Sequence, residues 1–190
     1  MTDPSVKDRR VFRLATLLTG DREHGRKILE TVVRERGELD PLDPVHLDRL
    51  IILGSREIAP DILVDPLVPH VVAVALARMD PQQREAWLLA HVDGMDDRRM
   101  AQAMDCSRTA TARHLERAET IWSSTGIAPA EAAGHLRTFA EHLELPESYV
   151  ERRKRWSRRR LGVRIAFTTV TLIIVIAGAF LLWRMATQWL

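Results

Sequence analysis

The stretch DGMDDRRMAQAMDCSRTATARHLERAE, Asp93 to Glu119, has the pattern of two short helices joined by a tight turn. Asp96 and Ser107 are each placed to cap a helix, because a short polar side chain there accepts a hydrogen bond from an unpaired backbone N–H group. Met95 and Met100 stand at the spacing of a hydrophobic staple around the first cap. The stretch therefore predicts a helix-turn-helix.

Nearly all of the rest of the chain up to about residue 160 is also predicted to be helical. Apolar residues recur at intervals of three and four, which is typical of amphipathic helices, so the fold class is predicted to be all-α. The predicted helix caps and ends are Gly20, Asp21, Gly37, Asp43 with Pro44, Pro60, Asp80 with Gln83, Pro129 and Pro146. The predicted inward residues are Thr111, Leu115 and Ala118 after Ser107, and Ala132, Leu136, Phe139 and Leu143 after Pro129.

The stretch APDILVDPLVP, residues 59–69, is the best candidate for a linker, because it has three prolines and no helical stripe. It divides the chain into two small helical domains, residues 1–59 and residues 70–122, with the linker at residues 60–69. A helical basic juxtamembrane stalk is expected at residues 127–160 and a transmembrane helix at residues 161–185.

The membrane anchor is predicted from Ile165 to Trp183, a run of 19 uncharged residues. As a helix this run is roughly 28 Å long, close to the thickness of a bilayer core. Eight basic residues between Arg152 and Arg164 precede it, and such clusters stay on the cytoplasmic side, where they contact membrane lipid. A single pass with the N-terminal part in the cytoplasm is therefore expected, and the lone Cys106 agrees with a reducing compartment.

Charge and motif content exclude several function classes. Residues 1–150 contain 19 Lys+Arg and 25 Asp+Glu, a net charge of −6, so the pI of about 9.1 reflects the C-terminal part and says little about DNA. There is no glycine-rich phosphate loop and no nucleophile with a nearby base. His135 and His142 share a helix face but lack the close spacing of metal ligands. We expect no enzyme activity, no cofactor and no metal.

The four helices expected between Pro69 and Glu119, with a helix-turn-helix last, resemble region 4 of bacterial sigma factors. ALARMDPQQREAWLLAHVDGMDDRRMAQAMDCSRTATARHLERAE, residues 75–119, is similar to the extracytoplasmic-function sigma factor family. VFRLATLLTGDREHGRKILETVVRERGELDPLDPVHLDRLIILGSREI, residues 11–58, resembles region 2 of that family in a degenerate form.

The resemblance implies that the second helix of the pair enters the major groove of a promoter element. The residues that it places against double-stranded DNA are Ser107, Arg108, Thr109, Ala112, Arg113, His114 and Arg117. Core RNA polymerase and an anti-sigma factor or another membrane protein are further expected partners, and the bacterial inner membrane is the expected location. The function implied is that of a membrane-tethered transcription regulator.

The region 2 stretch departs from the family pattern. Arg26 and Lys27 stand where the family usually has an acidic pair, so we expect a surface of reversed sign that repels a basic partner. No Phe, Trp or Tyr occurs between Phe12 and Trp87, although melted DNA is held by stacking on aromatic rings. We therefore expect no independent promoter opening.

A second function class remains open. Between Gly94 and Thr120 five basic residues are balanced by five acidic ones, which is poor electrostatics for neutralising phosphates. In this alternative the chain is a sigma-like interaction module that does not bind DNA. It would act as an anti-sigma or membrane-complex adaptor anchored at the inner membrane.

Overall fold

A computed structural model of the chain describes residues 6–153 and 155, and all the regular secondary structure in this part of the chain is helical. The predicted all-α fold class is therefore confirmed for these residues. The helices are α1 (Val6–Thr19), α2 (Arg22–Arg36), α3 (Pro44–Arg56), α4 (His70–Arg78), α5 (Pro81–Trp87), α6 (Asp97–Ala103), α7 (Arg108–Ser123) and α8 (Pro129–His142). A π-helical turn, Leu88–Val92, continues α5.

Residues Pro4–Pro146 form one compact unit, and Glu147–Leu190 belong to a second. In the second unit the structure describes residues 147–153 and 155, which are helical. Across the described ranges, no helix is both long and apolar enough to cross a bilayer. The predicted anchor, Ile165 to Trp183, and the predicted transmembrane helix at residues 161–185 lie outside the described residues.

Local hydrogen bonds determine where the helices begin. Asp21 caps α2 by accepting the backbone N–H of His24 at 2.7 Å. Asp43 caps α3 in the same way, and Pro44 follows it at the first helical position, where a missing N–H has no consequence. The predicted caps that the structure contains are Asp21, Asp43, Asp80 with Gln83, Asp96 and Ser107.

The segment between α3 and α4 is held against the turn between α1 and α2. The backbone N–H of Asp61 donates to the carbonyl of Thr19 at 2.8 Å, and Arg22 forms an ion pair with Asp65 at 2.6 Å. Gly20 has φ +72°, and a Cβ atom on it would lie 2.0 Å from the Asp61 carbonyl oxygen. Only glycine allows this approach, so the predicted linker lies along the turn and does not extend freely into solvent.

The apolar stripes of α1, α2 and α3 face one another and form the core at this end of the unit. The residues that are less than 6% exposed there are Val11, Phe12, Leu14, Ala15, Leu17, Leu18, Ile28, Leu29, Val32, Val33, Leu47, Ile51 and Ile52. Burial of the apolar surface of these side chains is the main source of stability for the three helices.

Ion pairs also join the first three helices to the segment that follows. Arg10 of α1 binds the buried carboxylate of Asp48 on α3 at 3.0 and 2.9 Å, and it contacts Asp93, after the π-helical turn, at 2.9 Å. Arg56 of α3 binds the buried Glu85 of α5. A buried carboxylate requires such a partner, so these contacts help to keep the first three helices and the segment from α5 to Asp93 in one unit.

The predicted domain boundaries stay a prediction.

Two tryptophans fix α7 to its neighbours. The rings of Trp87 and Trp122 are fully buried, with their centroids 4.7 Å apart. Next to them α8 packs on the π-helical turn, where Nε of Arg137 donates to the carbonyl of Val92 at 3.3 Å. The inward face of α8 is as predicted, with Ala132, Leu136, Phe139 and Leu143 all buried. The C-terminal half of α7 is therefore anchored in the core.

Candidate nucleic-acid interface

The stretch Asp93 to Glu119 forms a helix-turn-helix from α6 and α7. Asp96 caps α6 by accepting the N–H of Arg99 at 2.9 Å, and Ser107 caps α7 by accepting the N–H of Ala110 at 3.1 Å. Between them Asp105 has φ +55°, a left-handed conformation that Asp tolerates better than most residues. This residue makes the sharp turn that brings α7 back across α6.

The inward face of α7 holds the helix in place. Thr111 and Ala118 are buried as predicted, whereas Leu115 is half-buried. The hydroxyl of Thr111 donates to the carbonyl of Ser107 at 3.1 Å, which satisfies a polar group under the helix. Trp122 is the largest buried side chain of α7, and the sequence reasoning missed it, although it stands one helical turn after Ala118.

The outward face of α7 carries most of the predicted DNA-contacting residues. Ser107, Arg108, Thr109, Ala112, Arg113 and Arg117 are exposed, and His114 is half-buried. Arg108, Arg113 and Arg117 form no ion pair with any residue of the described part of the chain. Their guanidinium groups are thus accessible, while the Ser107 hydroxyl is used as the cap. The roles of these residues in DNA binding stay a prediction.

His114 contributes little positive charge at neutral pH. Burial lowers the pKa of His114 below its ordinary value of 6.5, and the charges of Arg117 and Arg56 act in the same direction. The positive charge of the outward face therefore comes from its arginines.

Two of the five acidic residues between Gly94 and Thr120, Asp96 and Asp105, are engaged with the protein itself. Asp96 caps α6, and Asp105 forms an ion pair with Arg49 of α3 at 2.7 Å. The carboxylate of Glu119 lies 3.5 Å from Nε2 of His91. By contrast, no ion pair within the described residues involves any of the exposed arginines, which are Arg98, Arg99, Arg108, Arg113 and Arg117. Asp97 and Glu116 are also exposed without an ion pair in the described residues, so the even count of charges understates only in part how basic the accessible surface is.

The expected reversal of charge on α2 holds only in part. Arg26 is clamped between Glu23 and Glu30, one turn before and one turn after it, and its side chain is 18% exposed. These two pairs neutralise it, so only Lys27 presents an unpaired positive charge at this place. The local surface is close to neutral, because the glutamates at i−3 and i+4 compensate the arginine.

The cationic residues of α3 are also engaged. Arg49 pairs with Asp105, and Arg56 pairs with Glu85. Both groups thus have partners inside the protein, and no aromatic residue that could stack on a melted strand lies between Phe12 and Trp87.

Residues 70–120 match the family model described as Sigma-70, region 4. This part of the chain is sigma-factor-like. The matched range runs from the start of α4 into α7, so it contains the whole helix-turn-helix. A match to sigma region 4 suggests a sigma-factor-like, DNA-binding regulator.

The match leaves α1, α2 and α3 outside its range, so the resemblance of residues 11–58 to region 2 stays a prediction. The extracytoplasmic-function subclass of the sigma region 4 segment is likewise a prediction. A search of curated proteins found no match to this chain.

Proposed function

We propose that this protein is a membrane-tethered, sigma-factor-like regulator of the extracytoplasmic-function type, which binds promoter DNA through α7. The observation that carries the proposal is the set of accessible arginines on a sigma region 4 segment. Arg108, Arg113 and Arg117 are exposed and form no ion pair with the described residues, so they meet DNA without first breaking internal contacts. A guanidinium group without an internal ion pair can interact with a DNA phosphate at no cost in broken protein contacts.

In this proposal the N-terminal half of α7 lies in the major groove, the usual docking of the motif. Arg108 and Arg113 either bond guanine through its O6 and N7 atoms or clamp a phosphate, because the guanidinium group presents parallel donors. Thr109 and Ala112 make smaller contacts with base edges, and a methyl group such as that of Ala112 fits against thymine. Ser107 and neutral His114 flank this contact surface.

The regulator binds duplex DNA without melting it. Arg56 of α3 is held by the buried carboxylate of Glu85, and no aromatic residue lies between Phe12 and Trp87. Base stacking and a continuous basic track are the two devices that hold a single strand. Opening of the promoter therefore depends on another protein, while this chain supplies duplex contacts.

The tether is residues Ile165 to Trp183, preceded by the basic cluster from Arg152 to Arg164. The length and composition of these sequences support a single pass through the bacterial inner membrane with the DNA-binding part in the cytoplasm. Deletion of the anchor residues should move the protein from the membrane fraction to the soluble fraction of cells. Retention of the deleted protein in carbonate-washed membranes would contradict the tether.

DNA binding is tested with the full chain in non-ionic detergent, against random duplexes and duplexes enriched from a random library, at several salt concentrations. Arg113→Ala should weaken binding and reduce the preference for the enriched sequence. Arg34→Ala, which removes an exposed arginine from α2, is the matched control and should leave the preference unchanged. Salt-independent binding, or equal effects of the two substitutions, would overturn the DNA-binding proposal.

A second candidate is an interaction module that binds an anti-sigma factor or another membrane protein. The net charge of −6 over residues 1–150 favours it, as does an exposed group of apolar side chains near the α3–α4 connection. Those side chains are Ile62, Val64, Leu67 and Val71, which are between 38% and 90% exposed. Capture of a membrane protein by the full chain that is lost on Val64→Asp, together with absent DNA binding, would favour this candidate.

A further inference from the structure

An open depression with a volume of about 540 Å³ lies where α3 meets the helix-turn-helix. Arg49 contributes from α3, Arg98 and Gln102 from α6, and Arg108 from the start of α7, while Asp105 lies in the turn. The depression thus joins a helix outside the sigma region 4 segment to the beginning of the proposed recognition helix. No role follows from the family match for Arg49, because it lies outside residues 70–120.

The charges around the depression favour an anion. Three arginines and one aspartate line the depression, which gives its lining a net charge of +2. Arg98 and Arg108 form no ion pair within the described residues, and Gln102 is an exposed amide that can donate a further hydrogen bond. Arginine is the residue best suited to phosphate, since its planar fork matches two phosphate oxygens at once.

The one ion pair in the depression is weak enough to exchange. Arg49 contacts Asp105 at 2.7 Å, and their side chains are 42% and 54% exposed. Exposed pairs contribute little to stability, so Arg49 can turn from the carboxylate to a phosphate at small cost. In the absence of a ligand, Asp105 keeps the guanidinium of Arg49 over the depression.

The shape of the depression favours a long polyanion over a small metabolite. Sites for small molecules enclose most of the ligand surface, whereas this depression is open to solvent along one side. A DNA strand passing the first turn of α7 fits an open surface of this kind, because its phosphates need contact on one side only.

We propose that Arg49, Arg98 and Arg108 hold backbone phosphate of the same duplex whose major groove takes α7, an inference that rests on the proposed function. Arg49 makes α3 part of the duplex-binding surface. The segment that resembles region 2 then contributes to DNA binding by phosphate contact and not by strand opening. Asp105 competes with the phosphate for Arg49 and limits the affinity.

The test measures the dependence of duplex binding on salt for the full chain in non-ionic detergent, using a fluorescent 25-base-pair DNA. The slope of log K against log salt is negative, and loss of one phosphate contact reduces its magnitude by about 0.9. Arg49→Gln should show this loss equally on random and enriched sequences, while Arg34→Gln on α2 should not. Asp105→Asn should raise affinity, and asparagine tolerates the left-handed conformation of the turn.

The outcomes separate this inference from the proposed function. If the wild-type chain binds and Arg113→Ala weakens it, but Arg49→Gln leaves the slope unchanged, the inference fails and the proposed function stands. If the wild-type chain does not bind DNA, both fail. Pyrophosphate is titrated alone as a second probe. Tight pyrophosphate binding that Arg49→Gln abolishes, with an unchanged DNA slope, would assign the depression to a free anion and overturn the inference.

Discussion

Arg56 of α3 and Glu85 of α5 form a two-point ion pair, with nitrogen–oxygen distances of 2.8 and 2.6 Å. Glu85 is 1% exposed, and Arg56 also donates to the carbonyl of Met104 at 3.2 Å, just before the turn of the helix-turn-helix. A charge from the first three helices is therefore built into the support of the helix-turn-helix.

Arg56→Ala should lower the free energy of unfolding by about 3 kcal/mol, because it leaves the Glu85 carboxylate buried without a partner. Arg49→Ala on the same helix is the matched control. Its pair with Asp105 is exposed, so its loss should cost less than about 1 kcal/mol. Urea unfolding followed by tryptophan fluorescence measures both values. Equal losses would show that burial of Glu85 does not determine the strength of this contact.

The same carboxylate should make stability depend on pH. Burial raises the pKa of Glu85 above its ordinary value of 4.5, although Arg56 acts in the opposite direction. The stability that Glu85 contributes is therefore fully present below about pH 4.5 and is lost as the pH rises through its folded-state pKa. Glu85→Gln removes this titration, so the wild-type chain should lose stability relative to the variant between pH 4.5 and pH 7. A constant difference across that range would contradict the direction of the shift.

Helix boundaries were predictable because caps are local. Asp21, Asp43, Asp96 and Ser107 each bond a backbone N–H within three residues, so the signal lies inside one short window of sequence. The exposure of the arginines on α7 also followed from its periodicity, since Thr111 and Ala118 fix the inward face.

The contacts between distant segments were not predictable in this way. Arg49 and Asp105 are 56 residues apart, and no periodic pattern in the sequence pairs them. The depression that they line therefore cannot be predicted from the sequence, because it forms only where α3 packs against α6 in the fold. The clamp on Arg26 is a different case, because Glu23 and Glu30 stand at helical spacing and that local signal was overlooked.

The surface of α2 leads to a prediction about RNA polymerase. Lys27 is exposed, whereas the charge of Arg26 is already neutralised by its two glutamates. Lys27→Glu should therefore increase retention of core polymerase by the full chain. The substitution gives α2 one of the two acidic residues that the family resembled by residues 11–58 usually has at these positions. Lys27→Gln is the neutral control, and a pull-down with quantified polymerase subunits gives the measurement. Reduced retention with Lys27→Glu would show that α2 does not meet a basic partner surface.

A substitution at Ala112 on α7 is expected to increase the affinity for DNA. Ala112 is exposed on the outward face of α7, where its methyl group carries no charge. Ala112→Lys should increase the magnitude of the negative slope of log K against log salt by about 0.9, because it adds one phosphate contact. Ser123→Lys adds the same charge at the far end of α7, roughly 16 Å away, and should leave the slope nearly unchanged. Equal increases would indicate attraction by net charge alone, without docking of the N-terminal half of α7.

Gly20 should be the least replaceable glycine of the turn regions. Its φ of +72° already disfavours any other residue. A Cβ atom on it would also lie 2.0 Å from the Asp61 carbonyl oxygen. This clash would break the contact between the α1–α2 turn and the α3–α4 connection. Gly20→Ala should therefore cost more than about 2 kcal/mol in the free energy of unfolding. Gly126 has a similar φ of +76° with no atom near its missing Cβ, so Gly126→Ala should cost only about 1 kcal/mol. Equal losses in urea titrations would mean that the connection is not held against the turn.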